Sequence, residues 1–136
     1  MVENLPNFLP DNHDLLNAIV STSAEGILVL DITERVLYIN TSLAQYLNIA
    51  YENNPGLVFR HSLPGKSTSL MKLCGYVEPD WDVSCREITS GRVKVNKGEV
   101  KLNGSRALYL SRTHLPVLNR QGEISGWLLI FQDVTK

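Results

Sequence analysis

Cysteine is scarce: Cys74 and Cys85 are the only two in 136 residues. Two cysteines without metal-ligand spacing exclude a disulfide framework and a structural zinc site. They read as small buried hydrophobes, compatible with a reducing compartment. No apolar run approaches the ~20 residues that a bilayer-spanning helix needs. The opening stretch, MVENLPNFLPDNHD, is polar and acidic rather than signal-like. No direct membrane contact is therefore expected, and the expected location is cytoplasmic. An excess of one charge is also missing. Thirteen Lys and Arg face fourteen Asp and Glu, for a net charge of -1. That balance gives no electrostatic reason to expect nucleic acid as a partner.

Catalytic signatures are missing too. There is no Gly-x-Ser-x-Gly, no His-Glu-x-x-His and no complete phosphate-binding loop. Gly65-Lys66-Ser67 lacks the earlier glycine at phosphate-loop spacing and reads as part of an ordinary loop. No nucleophile, base and orienting group can be assembled, so the chain is not read as an enzyme and no metal site is assigned.

What is present is an ordinary globular balance, 43% hydrophobic and 20% charged, enough for one packed core. Residues 1–11, with Pro6 and Pro10, read as a lead-in to a single domain over 12–136. A helix over 12–23 starts at Asp11 or Asn12 and carries one apolar stripe of Leu15, Leu16, Ile19 and Val20. From about residue 24 the core begins. Ile27–Leu30 and Val36–Ile39 read as a strand pair around a short polar link, and Asn40-Thr41-Ser42 caps a short helix containing Leu43 and Leu47. Residues 48–79 read as loops and short helical turns, punctuated by Pro55-Gly56 and Pro64-Gly65. A helix starts near Pro79, presents Trp81, Cys85 and Ile88 on one face, and stops at Gly91.

Three strands follow. Glu99–Leu102 and Arg106–Leu115 flank Asn103-Gly104, a strong hairpin signal, and Ile124–Val134 forms a long last strand with Gly126 as a candidate bulge. Val93 and Val95 are out of phase with Val100 and Leu102, which predicts a break at Asn96-Lys97-Gly98. The order is helix, two strands, a helical middle and three strands. It implies an α+β fold, with helices gathered on one face of an antiparallel sheet.

That order and several local motifs resemble the PAS sensory family. Ser23-Ala24-Glu25-Gly26-Ile27-Leu28-Val29-Leu30-Asp31 looks like the family's start, and Arg35-Val36-Leu37-Tyr38-Ile39-Asn40 looks like its second strand. Leu115–Ile124, Gly126 and Asp133-Val134-Thr135 resemble the last hairpin and terminal Asp-[Ile/Val]-Thr motif. The resemblance covers roughly residues 12–136. It implies a five-stranded antiparallel sheet with a flanking N-terminal helix. It also implies a sensory role, in which a small molecule or a change of state rearranges a homodimer. The signal would pass to a C-terminal output domain in a larger protein, such as a histidine kinase or diguanylate cyclase. A second reading is an interaction-only domain with a filled core, acting in assembly.

The resemblance also bears on cofactors. Oxygen-sensing relatives ligate haem through a His on the last helix, but no His lies between Pro79 and Gly91, and His61 precedes it in a loop. The light-oxygen-voltage branch uses Gly-x-Asn-Cys-Arg-Phe-Leu-Gln, of which Ser84-Cys85-Arg86-Glu87 keeps only Cys-Arg, too late in the chain. Haem and flavin-adduct chemistry are not expected, and the cofactor stays unassigned.

Strand parity, set by matching Pro116 to the proline common at the end of the family's penultimate strand, sends Leu108, Leu110, Arg112 and His114 inward. In the last strand Trp127, Leu129 and Phe131 face in, leaving Leu128 and Ile130 outside as a dimer surface with the 12–23 stripe. The candidate ligand contacts are Arg112, His114, Leu110, Tyr46, Trp81, Phe131 and Leu129. An inward guanidinium needs a partner: a bound carboxylate or phosphate, an internal acid such as Glu87 or Asp82, or a strand end that twists into solvent. Tyr46, Trp81, Tyr109 and Trp127 are equally readable as plain core. Asp133 and Thr135 are the candidate relay residues, at the exit of the last strand.

Overall fold

The computed structural model describes residues 25–50, 56–102 and 108–134. The 12–23 helix, the Asn103-Gly104 turn and Thr135 lie outside the described residues.

Strand β1 (Gly26–Asp31) is apolar from Gly26 to Leu30 and buried on both faces over that stretch. The Asp31 carboxylate then turns the chain, accepting from the amides of Thr33 at 2.8 Å and Arg35 at 2.9 Å. Strand β2 (Val36–Ile39) pairs back on β1. Helix α1 (Thr41–Leu47) is capped by Asn40, whose Oδ1 accepts from Leu43 N at 3.0 Å. The same oxygen accepts from Ile27 N at 2.9 Å, and Nδ2 donates to the Glu25 carbonyl at 2.8 Å. One buried side chain thus anchors α1 to the start of β1.

The middle of the chain carries helix α2 (Leu70–Leu73) and helix α3 (Glu78–Thr89). Pro79 sits in the first turn of α3, with Glu78 and Asp80 at its positive end. Strands β3 (Asn96–Leu102), β4 (Leu108–Leu118) and β5 (Ile124–Asp133) complete one antiparallel sheet in the order β2-β1-β5-β4-β3.

The register places side chains in rows across the sheet. Ile39, Leu28, Leu129, His114 and Asn96 make one row on the inner face. Gly26, Phe131, Arg112 and Gly98 make the next. Leu43, Leu47, Phe59, Leu70, Met71, Trp81 and Ile88 from the helical layer close over this face. Each fully buried large apolar side chain there contributes roughly 1.5–3 kcal/mol.

Two expectations are corrected. No break occurs at Asn96-Lys97-Gly98; β3 begins there and runs without interruption to Leu102. Val93 packs against the core outside the strand and Val95 is exposed, so the conflict of phase is removed by starting the strand later. Gly126 is paired on both sides, to Asp31 and Val117. The irregularity falls one residue earlier, where Ser125 is skipped between the pairs Val117–Gly126 and Leu118–Ile124.

Candidate functional site

The inner face of the sheet meets α3 around His114 and Trp81. Alternation along β4 turns Leu110, Arg112 and His114 toward the helices, and helical spacing turns Trp81, Ser84 and Ile88 of α3 toward the sheet. His114 and Trp81 are fully buried. Their rings stack at 4.5 Å between centroids with a 25° inclination. Trp127 meets His114 edge-on at 4.8 Å, while Tyr76 and Phe59 pack around Trp81 at 5.0 and 4.7 Å. The space between sheet and helices is thereby filled with aromatic rings.

Two polar networks tie this cluster to its surroundings. On one side, Trp81 Nε1 donates to Glu34 Oε2 at 2.8 Å. Glu34 receives a bidentate pair from Arg60 at 2.6 and 2.7 Å, and Arg60 also donates to Asp82 at 2.8 Å. That hydrogen bond from Arg60 holds the Asp82 carboxyl below its usual range, and the two acids push Arg60 upward. On the other side, the Ser84 hydroxyl and His114 Nδ1 lie 2.6 Å apart, and Asn96 Nδ2 donates to Ser84 Oγ at 2.8 Å. His114 Nε2 is buried with no hydrogen-bond partner among the described residues. Burial, aided by the charge of Arg112, pushes the His114 pKa down to about 4, so its ring is neutral near pH 7.

Arg112 stays at the edge of this cluster. Its guanidinium lies over the Tyr76 ring at 3.7 Å, and Nη1 donates to the Cys74 carbonyl at 3.0 Å. Burial pushes the Tyr76 phenol up to about 12, against the opposing pull of Arg112. No described carboxylate forms an ion pair with Arg112; Asp82 is taken by Arg60. Beside it a cleft of about 300 Å³ opens between α3 and the β3–β4 edge, lined by Tyr76, Asp80, Glu87, Asn96, Lys97 and Arg112 among others.

The expected residues separate into groups. Leu110, Leu129, Phe131, Trp81 and His114 come together, all fully buried. His114 therefore faces neighbouring rings and Ser84, and it does not line the cleft. Arg112 is the one expected ligand contact that reaches the cleft. Tyr46 lies on α1, where burial, and after it the charges of Asp133 and Glu25, push its phenol upward. Leu128 and Ile130 are half-buried on the outer face. Tyr109 is exposed, with Lys101 over its ring. Cys74 and Cys85 are free thiols, and burial pushes Cys85 up to about 12 and Cys74 higher. The 63–68 stretch closes on itself through Leu63 N to Thr68 O at 2.8 Å, an ordinary turn.

Sequence reasoning missed Glu34, Arg60, Ser84 and Asn96. Ser84 carried a signal: it lies three residues after Trp81 and four before Ile88, on the same face of α3. Glu34 and Arg60 carried none, because their partners lie far along the chain.

The family described as the PAS fold matches residues 20–136, and the chain belongs to it. No curated protein sequence matches significantly. Solved structures agree on the fold. The PAS domain of Bordetella pertussis BvgS is 12% identical, with a TM-score of 0.62 over 93% of this chain and 89% of that one. A sensory box sensor histidine kinase from Vibrio cholerae is 11% identical, with a TM-score of 0.56 over 90% of this chain and 91% of that one. The Vibrio cholerae VqmA dimer, whose reported conformation shifts in the absence of target DNA, is 14% identical, with a TM-score of 0.65 over 89% of this chain and 51% of that one.

Proposed function

We propose that this domain is a non-catalytic sensory module, which takes a small-molecule input beside α3 and relays it through its sheet to an output domain. The observation that carries this reading is the position of β5. It is the central strand, paired with both β1 and β4. Its Trp127, Leu129 and Phe131 are buried in the core, while Leu128 and Ile130 alternate onto the outer face. A repacking around Trp81 and His114 is therefore felt on the outer face and at the strand's exit, where Val134 N donates to the Tyr109 carbonyl at 2.9 Å. The aromatic filling of the interior favours an input at the edge cleft over one at the centre of the fold. In this reading Leu128 and Ile130 meet a second copy, with the apolar stripe of residues 12–23. The VqmA dimer, with its reported shift of conformation, supports a dimer as the responding unit.

The test is Asp133→Ala in the full-length protein. We expect normal folding with the output unresponsive to stimulus. An unchanged response overturns the relay role of this exit.

A further inference from the structure

We propose that the cleft between α3 and the β3–β4 edge is a binding site for a free α-amino acid, held as a zwitterion. The inference rests on the small-molecule input proposed above and names its chemical class.

The charges lining the cleft are sorted by wall. Asp80 and Glu87 come from α3, seven residues apart and hence on one side of the helix, with Ser84 between them. Arg112 comes from β4, with Asn96 of β3 beside it on the inner face, while Lys97 is in the row of Thr113 and Ile130 and alternates to the outer face. One guanidinium therefore faces two acids across about 300 Å³, at the small end of ligand sites. A dianion entering here meets both acids, and a simple cation meets Arg112. A molecule carrying one carboxylate and one ammonium on the same carbon satisfies both walls.

Arg112 is held in place for this role. Its Nη1 is engaged by the Cys74 carbonyl and its plane rests on Tyr76, which leaves the remaining N–H groups without a described carboxylate. Two glycines make room for it. A Cβ on Gly98 would stand 2.9 Å from Nη2, and one on Gly75, at φ 85°, would stand 2.9 Å from Nη1. A guanidinium fixed at one edge of its plane presents a fork suited to a carboxylate. Asn96 and Ser84 link the site to His114, so occupancy bears directly on the central aromatic cluster.

The experiment is a titration of the ¹⁵N-labelled domain with each common L-α-amino acid, with acetate and methylammonium as half-ligand controls. We expect at least one amino acid to shift the amides of Asn96, Lys97 and Gly98 saturably, with both half-ligands at least about tenfold weaker. Asp80→Asn and Glu87→Gln are expected to weaken that response while the amide spectrum away from the cleft stays that of the folded parent. Arg112→Gln should abolish it. Acetate acting as strongly as the amino acids overturns the zwitterion and leaves a small-molecule cleft standing. No shift from any probe overturns the inference, while the relay through β5 is judged separately by Asp133→Ala.

Discussion

The imidazole of His114 lies on the indole of Trp81 with centroids 4.5 Å apart, and each ring holds a polar partner of its own. Trp81 Nε1 reaches Glu34 beyond β1, and His114 Nδ1 reaches Ser84 on α3. This pair joins the β1–β2 turn, α3 and β4 at one point in the core. Four predictions concern it and the surface behind it.

Acid should loosen the domain through His114. Its pKa falls from 6.5 to about 4 on folding, so between those values the unfolded chain binds more protons than the folded one. Stability therefore drops as pH falls from 6.5 toward 4. By about pH 5 the loss is on the order of 2 kcal/mol relative to neutral pH. Urea melts of the parent and His114→Gln, each followed against pH, check this. The variant should lose the slope in that window. Asp82 titrates lower, because Arg60 holds its carboxyl down, and does not produce the same signal. An equal slope in both proteins rules out His114 as the cause.

Glu34→Ala should cost more than a surface carboxylate usually does. It leaves the buried Trp81 N–H without its acceptor and removes the bidentate partner of Arg60. Arg60 remains paired with Asp82 and its side chain is 26% exposed, which moderates the loss to about 2 kcal/mol. Glu34→Gln keeps an acceptor for the indole and should recover part of it. Chemical denaturation of both variants measures the difference.

Ser84→Ala should destabilise by about 1–2 kcal/mol by leaving both ring nitrogens of His114 unsatisfied in the core. The Asn96 amide loses its closest acceptor at the same time. A double-mutant cycle with His114→Phe separates the two effects, since a phenyl ring needs no partner. Coupling near zero would show that the 2.6 Å contact contributes little.

Removing residues 1–22 should change the oligomeric state or the solubility of the domain, by uncovering Leu128 and Ile130 on the outer face. Light scattering on a chain beginning at Ser23 reads this directly. A soluble truncated protein with the parent's oligomeric state eliminates the 12–23 stripe as the dimer element.

The strand pairs, a helix cap within Asn40-Thr41-Ser42 and the place of Pro79 in the first turn of α3 were legible because each depends on residues a few positions apart. Alternation of two and helical spacing of three or four carry that information locally. Parity along β4 was legible as well: Leu110, Arg112 and His114 do face the helices. What the local pattern got wrong was the start of β3. Val93 and Val95 look like strand residues, but strand begins where Asn96 meets His114 across the ladder.

The sequence by itself determined the order of elements, the faces they present and the balance of charge. Only the tertiary structure decided what the inward polar residues do. Glu34 and Trp81 are 47 positions apart, and Ser84 and His114 are 30 apart. Whether a buried imidazole is charged, or a guanidinium is free to take a ligand, depends on which distant groups arrive beside it. Here an aromatic box made His114 neutral, and the Cys74 carbonyl and Tyr76 ring held Arg112 at the edge of a cleft. Desolvation and hydrogen bonding act through space, so no periodicity along the chain records them.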